Sequence, residues 1–141
     1  WSPSSISYTG NNRTHMIRIP DPGRFELRLM DGSANPYLLQ AGIIAAGLEG
    51  ISKKLNPGKP LHCNMYTDFK KYPKLKKLPN VVEQAINLLE NSKSLNNAFG
   101  KDVIKSYVKL KKSEIKDFKR KETFNKKRPI TNWERNNTLD C

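Results

Sequence analysis

The stretch Arg24-Phe25-Glu26-Leu27-Arg28 alternates charged and apolar side chains, and the fold is read outward from it. In an extended strand residues i, i+2 and i+4 share a face, so Arg24, Glu26 and Arg28 lie on one side and Phe25, Leu27 and Leu29 on the other. The apolar set is expected to seal a core. The charged set permits two readings. One is a solvated salt-bridge ladder, worth little by itself. The other is a site in which two guanidiniums hold anionic oxygens while the carboxylate ligates a hard cation such as Mg²⁺. The five residues alone leave both open.

Upstream, residues 14–19 (THMIRI) alternate in the same way, and Pro20-Asp21-Pro22-Gly23 reverses the chain. Strands at 14–19 and 24–30 then form an antiparallel hairpin that can present Arg18, Arg24, Glu26 and Arg28 on one surface, in a register the sequence does not fix. Residues 1–12 read as a loop of turn-formers. Downstream, Asn35 followed by Pro36 is a helix start, combining a capping oxygen with a residue of preset φ and no N–H to leave unpaired. A helix is expected over about 36–51, buried, with Leu38, Ala41, Ile44, Ala45, Leu48 and Ile51 at helical spacing and Gly42 and Gly47 leaving room for a close neighbour.

Residues 52–79 hold four prolines and many lysines and read as an extended connection. A helix is then expected from Asn80 as cap, with Glu83 three residues on, to about 91. A turn or short helix should follow at 94–100, then a long amphipathic helix over 101–121 whose Ile104, Tyr107, Val108, Ile115 and Phe118 pack a core. Thr131 with Glu134 repeats the capping pattern for a short last helix whose Trp133 docks on the domain, after an exposed Lys-rich link at 119–128. The fold class is α+β: an antiparallel hairpin followed by packed helices.

The 141 residues carry a formal charge of +13, spread unevenly. Residues 1–51 balance four arginines against Asp21, Glu26, Asp31 and Glu49, so the whole excess lies in 52–141, and a division into 1–51 and 52–141 follows. Such an excess suits either a solvated surface or an anionic partner. No aromatic-basic interleaving or zinc spacing accompanies it, which argues against nucleic acid. Cys63 and Cys141 form no framework, no apolar run approaches the roughly 18 residues of a membrane span, and no signal peptide is visible. A cytoplasmic chain is expected. It opens at Trp1 in what reads as mid-protein loop, so a fragment is expected too. His15 and His62 have no partner at metal spacing and carry no assigned role.

Five blocks, in order, point to a family. Asn12-Arg13-Thr14, Ile17-Arg18-Ile19-Pro20, Arg24-x-Glu26-x-Arg28, Asp31-x-Ser33-Ala34-Asn35-Pro36-Tyr37-Leu38 and Ala46-Gly47-Leu48-Glu49-Gly50-Ile51 resemble the catalytic domain of glutamine synthetase, and the likeness continues more loosely through Asn64-Met65-Tyr66, Lys109-Leu110-Lys111-Lys112-Ser113-Glu114 and Thr131-Asn132-Trp133-Glu134-Arg135. That resemblance implies a carboxy-terminal part of a ligase joining ammonia to the γ-carboxylate of glutamate through γ-glutamyl phosphate, with ATP as co-substrate and Mg²⁺ or Mn²⁺ as cofactor. It implies that Arg13, Arg18 and Arg24 surround the ATP phosphates, Arg13 and Arg18 acting in catalysis. Glu26 would ligate the metal and Arg28 would contact glutamate. Guanidiniums and metal ions suit the chemistry because phosphoryl transfer is driven by neutralising charge on oxygens.

The same resemblance implies a ring-shaped homo-oligomer, with no nucleic-acid or membrane partner. It places the other metal ligands and the ammonia site upstream of Trp1, so the 141 residues alone are expected to be inactive. Asn64-Met65-Tyr66 is similar to an adenylylation motif of some members, but Leu61-His62-Cys63 lacks the Asp-Lys/Arg pair that precedes it there. Two alternatives stand beside the ammonia ligase. One is a γ-glutamyl ligase using methylamine or a polyamine. The other, of a different class, is a non-catalytic basic binding module.

Overall fold

The computed structural model describes residues 2–122 and 130–138, in which three strands and six α-helices form. They fall into two compact units: Trp1–Asp31 with Leu55–Val81, and Gly32–Lys54 with Val82–Cys141. The units alternate along the sequence, so each draws residues from both 1–51 and 52–141.

The first unit is built on a three-stranded sheet, β1 (Tyr8–Thr9), β2 (Ile17–Asp21) and β3 (Arg24–Leu27), in that order. β2 and β3 are the expected hairpin, antiparallel, with Ile17 opposite Leu27, Arg18 opposite Glu26 and Asp21 opposite Arg24. The register shifts between Arg18 and Asp21, a bulge that lets Pro20 sit inside a strand without a ladder N–H. β2 therefore runs through Pro20 and Asp21, which sequence assigns to the turn, and the reversal is confined to Pro22-Gly23, where Gly23 has φ +78°. β1 pairs parallel to β2 inside a segment expected to be loop. Two residues are too short to show a period.

One expectation about the sheet is overturned. The apolar face of β3 does not seal a core: Phe25 is 62% exposed and Leu29 42%. Alternation sorts side chains by face, but only a covering element buries them.

The connection at 55–81 is better ordered than its composition suggests. It holds α2 (Met65–Asp68), capped by the Asn64 side chain, and a 3-10 turn at Phe69–Lys71. Its far end runs beside the first residues, with Ile6 N–H donating to Lys76 O at 2.8 Å and Leu78 N–H to Ser4 O at 3.0 Å.

The second unit is helical. In α1 (Pro36–Ser52) the Asn35 side chain accepts from Tyr37 N at 3.0 Å and Leu38 N at 3.1 Å, with Pro36 in the first turn, as expected. α1 is not buried, however. None of its residues is, and Ile44, Leu48 and Ile51 are exposed. Its apolar residues run round the helix, and its main neighbour, α4 (Lys93–Phe99), covers one side only.

α3 (Val82–Glu90) starts two residues beyond Asn80, which therefore does not occupy the cap position. Ser92 caps α4 through Leu95 N, and Gly100 links it to α5 (Lys101–Lys121). Ile86 of α3 meets Ile104 and Val108 of α5 in the core, with Leu89, Leu95, Phe99 and Ile115 packed around them. In α6 (Asn132–Asn137) both halves of the Thr131–Glu134 capping box are made. Trp133 stands edge-on to Phe118 with centroids 5.6 Å apart, and its Nε1–H donates to Asp117 Oδ2 at 2.8 Å. That bond, with Lys121 and Arg120 alongside, holds the Asp117 carboxyl down at about 2. Most of the expected Lys-rich link, 123–129, lies outside the described residues, as does Cys141.

Candidate active site

The hairpin register decides what the charged face becomes. Because Arg18 lies opposite Glu26, their side chains project from the same face, and Arg28, two residues beyond Glu26, joins them. Arg18 Nη1 donates to Glu26 Oε2 at 2.6 Å and Arg28 Nε to Glu26 Oε1 at 2.9 Å. Each carboxylate oxygen thus receives its own guanidinium. The Arg18 bond, with Arg28 behind it, holds the Glu26 carboxyl below its ordinary range, so it is ionised at neutral pH. Within the Arg18–Glu26–Arg28 triad two cations meet one anion. The guanidinium side chains are only 15% exposed, whereas Glu26 is 42% exposed and opens to solvent.

Asn11 is a member of this cluster that sequence reading passed over as a turn-former. Its Oδ1 accepts from Arg18 Nε at 2.9 Å and Nη2 at 2.6 Å, fixing the guanidinium plane. Only the Gly10-Asn11-Asn12 turn beside the strand hinted at it. Arg13 joins through its backbone: its carbonyl accepts from Arg28 Nη1, while its side chain is exposed. Arg24 stands apart. The bulge sets it opposite Asp21, and Arg24 Nη2 donates to Asp21 Oδ2 at 2.7 Å at the open end of the hairpin. The structure therefore brings Arg18, Glu26 and Arg28 together with the Arg13 peptide, and leaves the Arg24 and Arg13 side chains outside that network.

Among the described residues no group of three or more His, Cys, Asp or Glu side chains is placed to hold a metal ion. Glu26 supplies one carboxylate, which fits a shared ligand of a hard cation and does not make a complete shell. No helix among the described residues is long and apolar enough to cross a membrane.

Guanidiniums oriented by fixed acceptors are suited to binding phosphate or carboxylate oxygens. Comparison with known proteins identifies the family. Residues 1–135 match the family described as the glutamine synthetase catalytic domain, and the chain belongs to the glutamine synthetase family. It is similar to glutamine synthetase of Rhizobium meliloti, with 44% identity over 140 residues, covering 99% of this chain and 30% of that protein. It is also similar to the glutamate–methylamine ligase of Methyloversatilis universalis, 36% identical over 147 residues with 99% and 30% covered. A solved GmaS/ADP complex superposes with a TM-score of 0.81 at 44% identity, covering 100% of this chain and 30% of that one. The chain thus spans about 30% of the length of the curated relatives it matches.

Proposed function

We propose that the chain is the carboxy-terminal part of the catalytic domain of an ATP-dependent ligase that joins ammonia to glutamate, giving glutamine, ADP and phosphate. The observation that carries this reading is the Arg18–Glu26–Arg28 cluster, set on one face by the hairpin register within a chain of this family. Arg28 receives the substrate carboxylate. Arg18 neutralises the oxygens of the transferring phosphoryl group, and Arg13 and Arg24, whose side chains lie outside the cluster here, are assigned to the ATP phosphates on the family resemblance. In the first step a γ-carboxylate oxygen of glutamate forms a bond to the terminal phosphorus while the bond to ADP breaks. Ammonia then attacks the acyl carbon, phosphate leaves, and the nitrogen loses a proton. Held fixed by Asn11 and Glu26, the guanidinium of Arg18 is already oriented when charge develops, which is what electrostatic stabilisation requires. A divalent cation, Mg²⁺ or Mn²⁺, shared between Glu26 and residues outside this chain would add charge neutralisation at the phosphates.

The similarity to a glutamate–methylamine ligase across 99% of the chain favours one second reading, in which methylamine replaces ammonia. The complete enzyme, supplied with ATP, glutamate and either ammonia or methylamine, separates the two. Glutamine formation supports the first, N-methylglutamine the second, and ADP release with neither product defeats both. A cytoplasmic, ring-shaped homo-oligomer belongs to the same proposal, and size-exclusion chromatography with light scattering on the complete enzyme tests the assembly.

A further inference from the structure

His15 is fully buried, the largest such side chain among the described residues, and the reaction as described makes no use of it. Its ring spans two segments far apart in sequence: Nε2 lies 2.9 Å from the Cys63 carbonyl and Nδ1 3.1 Å from Ser7 Oγ. A carbonyl only accepts, so Nε2 carries a proton toward Cys63, while Nδ1 shares a hydrogen bond with the Ser7 hydroxyl. The residues beside it are pinned to the same place. Asn12 Nδ2 donates to the Cys63 carbonyl at 3.0 Å, filling its second lone pair, and Asn12 Oδ1 accepts from Thr14 N at 2.9 Å and Thr14 Oγ1 at 2.8 Å. Thr14 Oγ1 in turn accepts from Met65 N at 3.0 Å.

This clamp acts on the segment that holds Arg28 at both ends. The Arg28 backbone N–H donates to the Met16 carbonyl at 2.9 Å, and its guanidinium Nη1 donates to the Arg13 carbonyl. Residues 13–15 precede β2 and lack its ladder, and Met16 meets β3 through the Arg28 N–H alone. The buried imidazole at their centre ties them to Ser7 and Cys63, beside the Asn12 and Thr14 bonds. We propose that His15 is a positioning residue: by locking residues 13–16 against Cys63 it fixes the two carbonyls that aim Arg28 at a substrate carboxylate. A buried polar side chain with both ring nitrogens satisfied suits the task, because any shift of the segment would strand a hydrogen-bonding group away from water.

The kinetic arm of the test rests on the ligase reading, and the exchange arm does not. In the complete enzyme, His15→Leu removes both ring hydrogen bonds at similar volume, while His15→Gln keeps an N–H that can reach the Cys63 carbonyl. His15→Leu is expected to raise KM for glutamate roughly tenfold or more, with kcat within about threefold, and His15→Gln to restore most of the loss. In an Arg28→Lys background His15→Leu should add little further, because both changes act through the same guanidinium. Additive effects, or a fall in kcat with KM for glutamate unchanged, would overturn the proposal.

Native-state hydrogen exchange supplies the second arm. In His15→Leu the Thr14, Met65 and Arg28 amides should lose protection while the Ile6 amide, bonded to Lys76 O in the same unit, keeps it. Uniform loss across all four would show a merely structural histidine, and unchanged protection at Arg28 would sink the idea. If the wild-type enzyme forms no glutamyl amide, the ligase reading falls while the exchange result still decides the clamp.

Discussion

Two glycines with equally open surroundings should respond in opposite directions to the same methyl group. A Cβ built at Gly42, inside α1, or at Gly23, in the β2–β3 turn, meets no atom within 4 Å. Space therefore cannot separate them, and backbone conformation must. Gly42 sits in an ordinary helical turn, where alanine is better by about 0.8–1.0 kcal/mol because the unfolded chain loses freedom and the helix gains propensity. Gly23 has φ +78°, a left-handed conformation that costs an L-residue roughly 1–2 kcal/mol. Gly42→Ala is thus expected to stabilise the 141-residue chain by about 1 kcal/mol, a rise of roughly 4 °C in Tm, and Gly23→Ala to destabilise it by a similar amount. Urea denaturation followed by circular dichroism at the helix band, with thermal melts alongside, measures both. Destabilisation by Gly42→Ala would refute the reasoning, because it requires an atom packed against Gly42 that the described residues do not supply. The same substitution in the complete enzyme then becomes informative. If another element packs on Gly42 there, the sign reverses.

Three further outcomes follow from the helical unit. Val108→Ala deletes two carbons from a residue 3% exposed, so transfer alone removes about 1.6 kcal/mol and the cavity left behind should bring the loss to about 2–3 kcal/mol in denaturant unfolding. Thr131→Ala breaks the capping box and should cost about 1 kcal/mol of α6 stability, seen as faster amide exchange at Glu134, whose N–H the Thr131 hydroxyl accepts. The Asp117 carboxyl stands at about 2 in the folded chain against 3.8 as its ordinary value, so its contribution is complete above the higher value and vanishes as pH falls through the lower. Trp133 fluorescence in a Trp1→Phe background should therefore report an acid transition between about pH 4 and 2 that Asp117→Asn removes.

What the sequence disclosed and what it concealed differ in physical kind. The hairpin, the Asn35 cap, α5 and the Thr131–Glu134 box were legible because each rests on a local rule: alternation, an oxygen before a first turn, a 3.6 period. Arg18 and Glu26 could be placed on one surface, yet their pairing waited on a register set by the bulge near Pro20. That bulge also sends Arg24 to Asp21, which alternation alone does not foresee.

Burial was the least legible property. Phe25 and the exposed apolar residues of α1 obey every pattern for a core position, but a pattern names a face and not the element that covers it. His15 misled in the opposite sense. An isolated histidine between Thr14 and Met16 carries no sequence signal for a buried clamp, since its partners are a serine eight residues before it and a backbone carbonyl 48 residues after it. Asn11 was hidden likewise, because nothing local distinguishes a turn asparagine from one that orients Arg18.

The central claim is that the Arg18–Glu26–Arg28 face is one wall of a phosphoryl-transfer site and not a surface ladder. Glu26→Gln in the complete enzyme tests it most directly, because the substitution keeps the shape while removing the charge that both guanidiniums share. Glutamate-dependent ADP formation should fall by about a hundredfold or more, with Mn²⁺ binding weakened and the melting temperature shifted little. Turnover within about twofold of wild type would contradict the account, leaving the alternating strand a solvated ion-pair ladder.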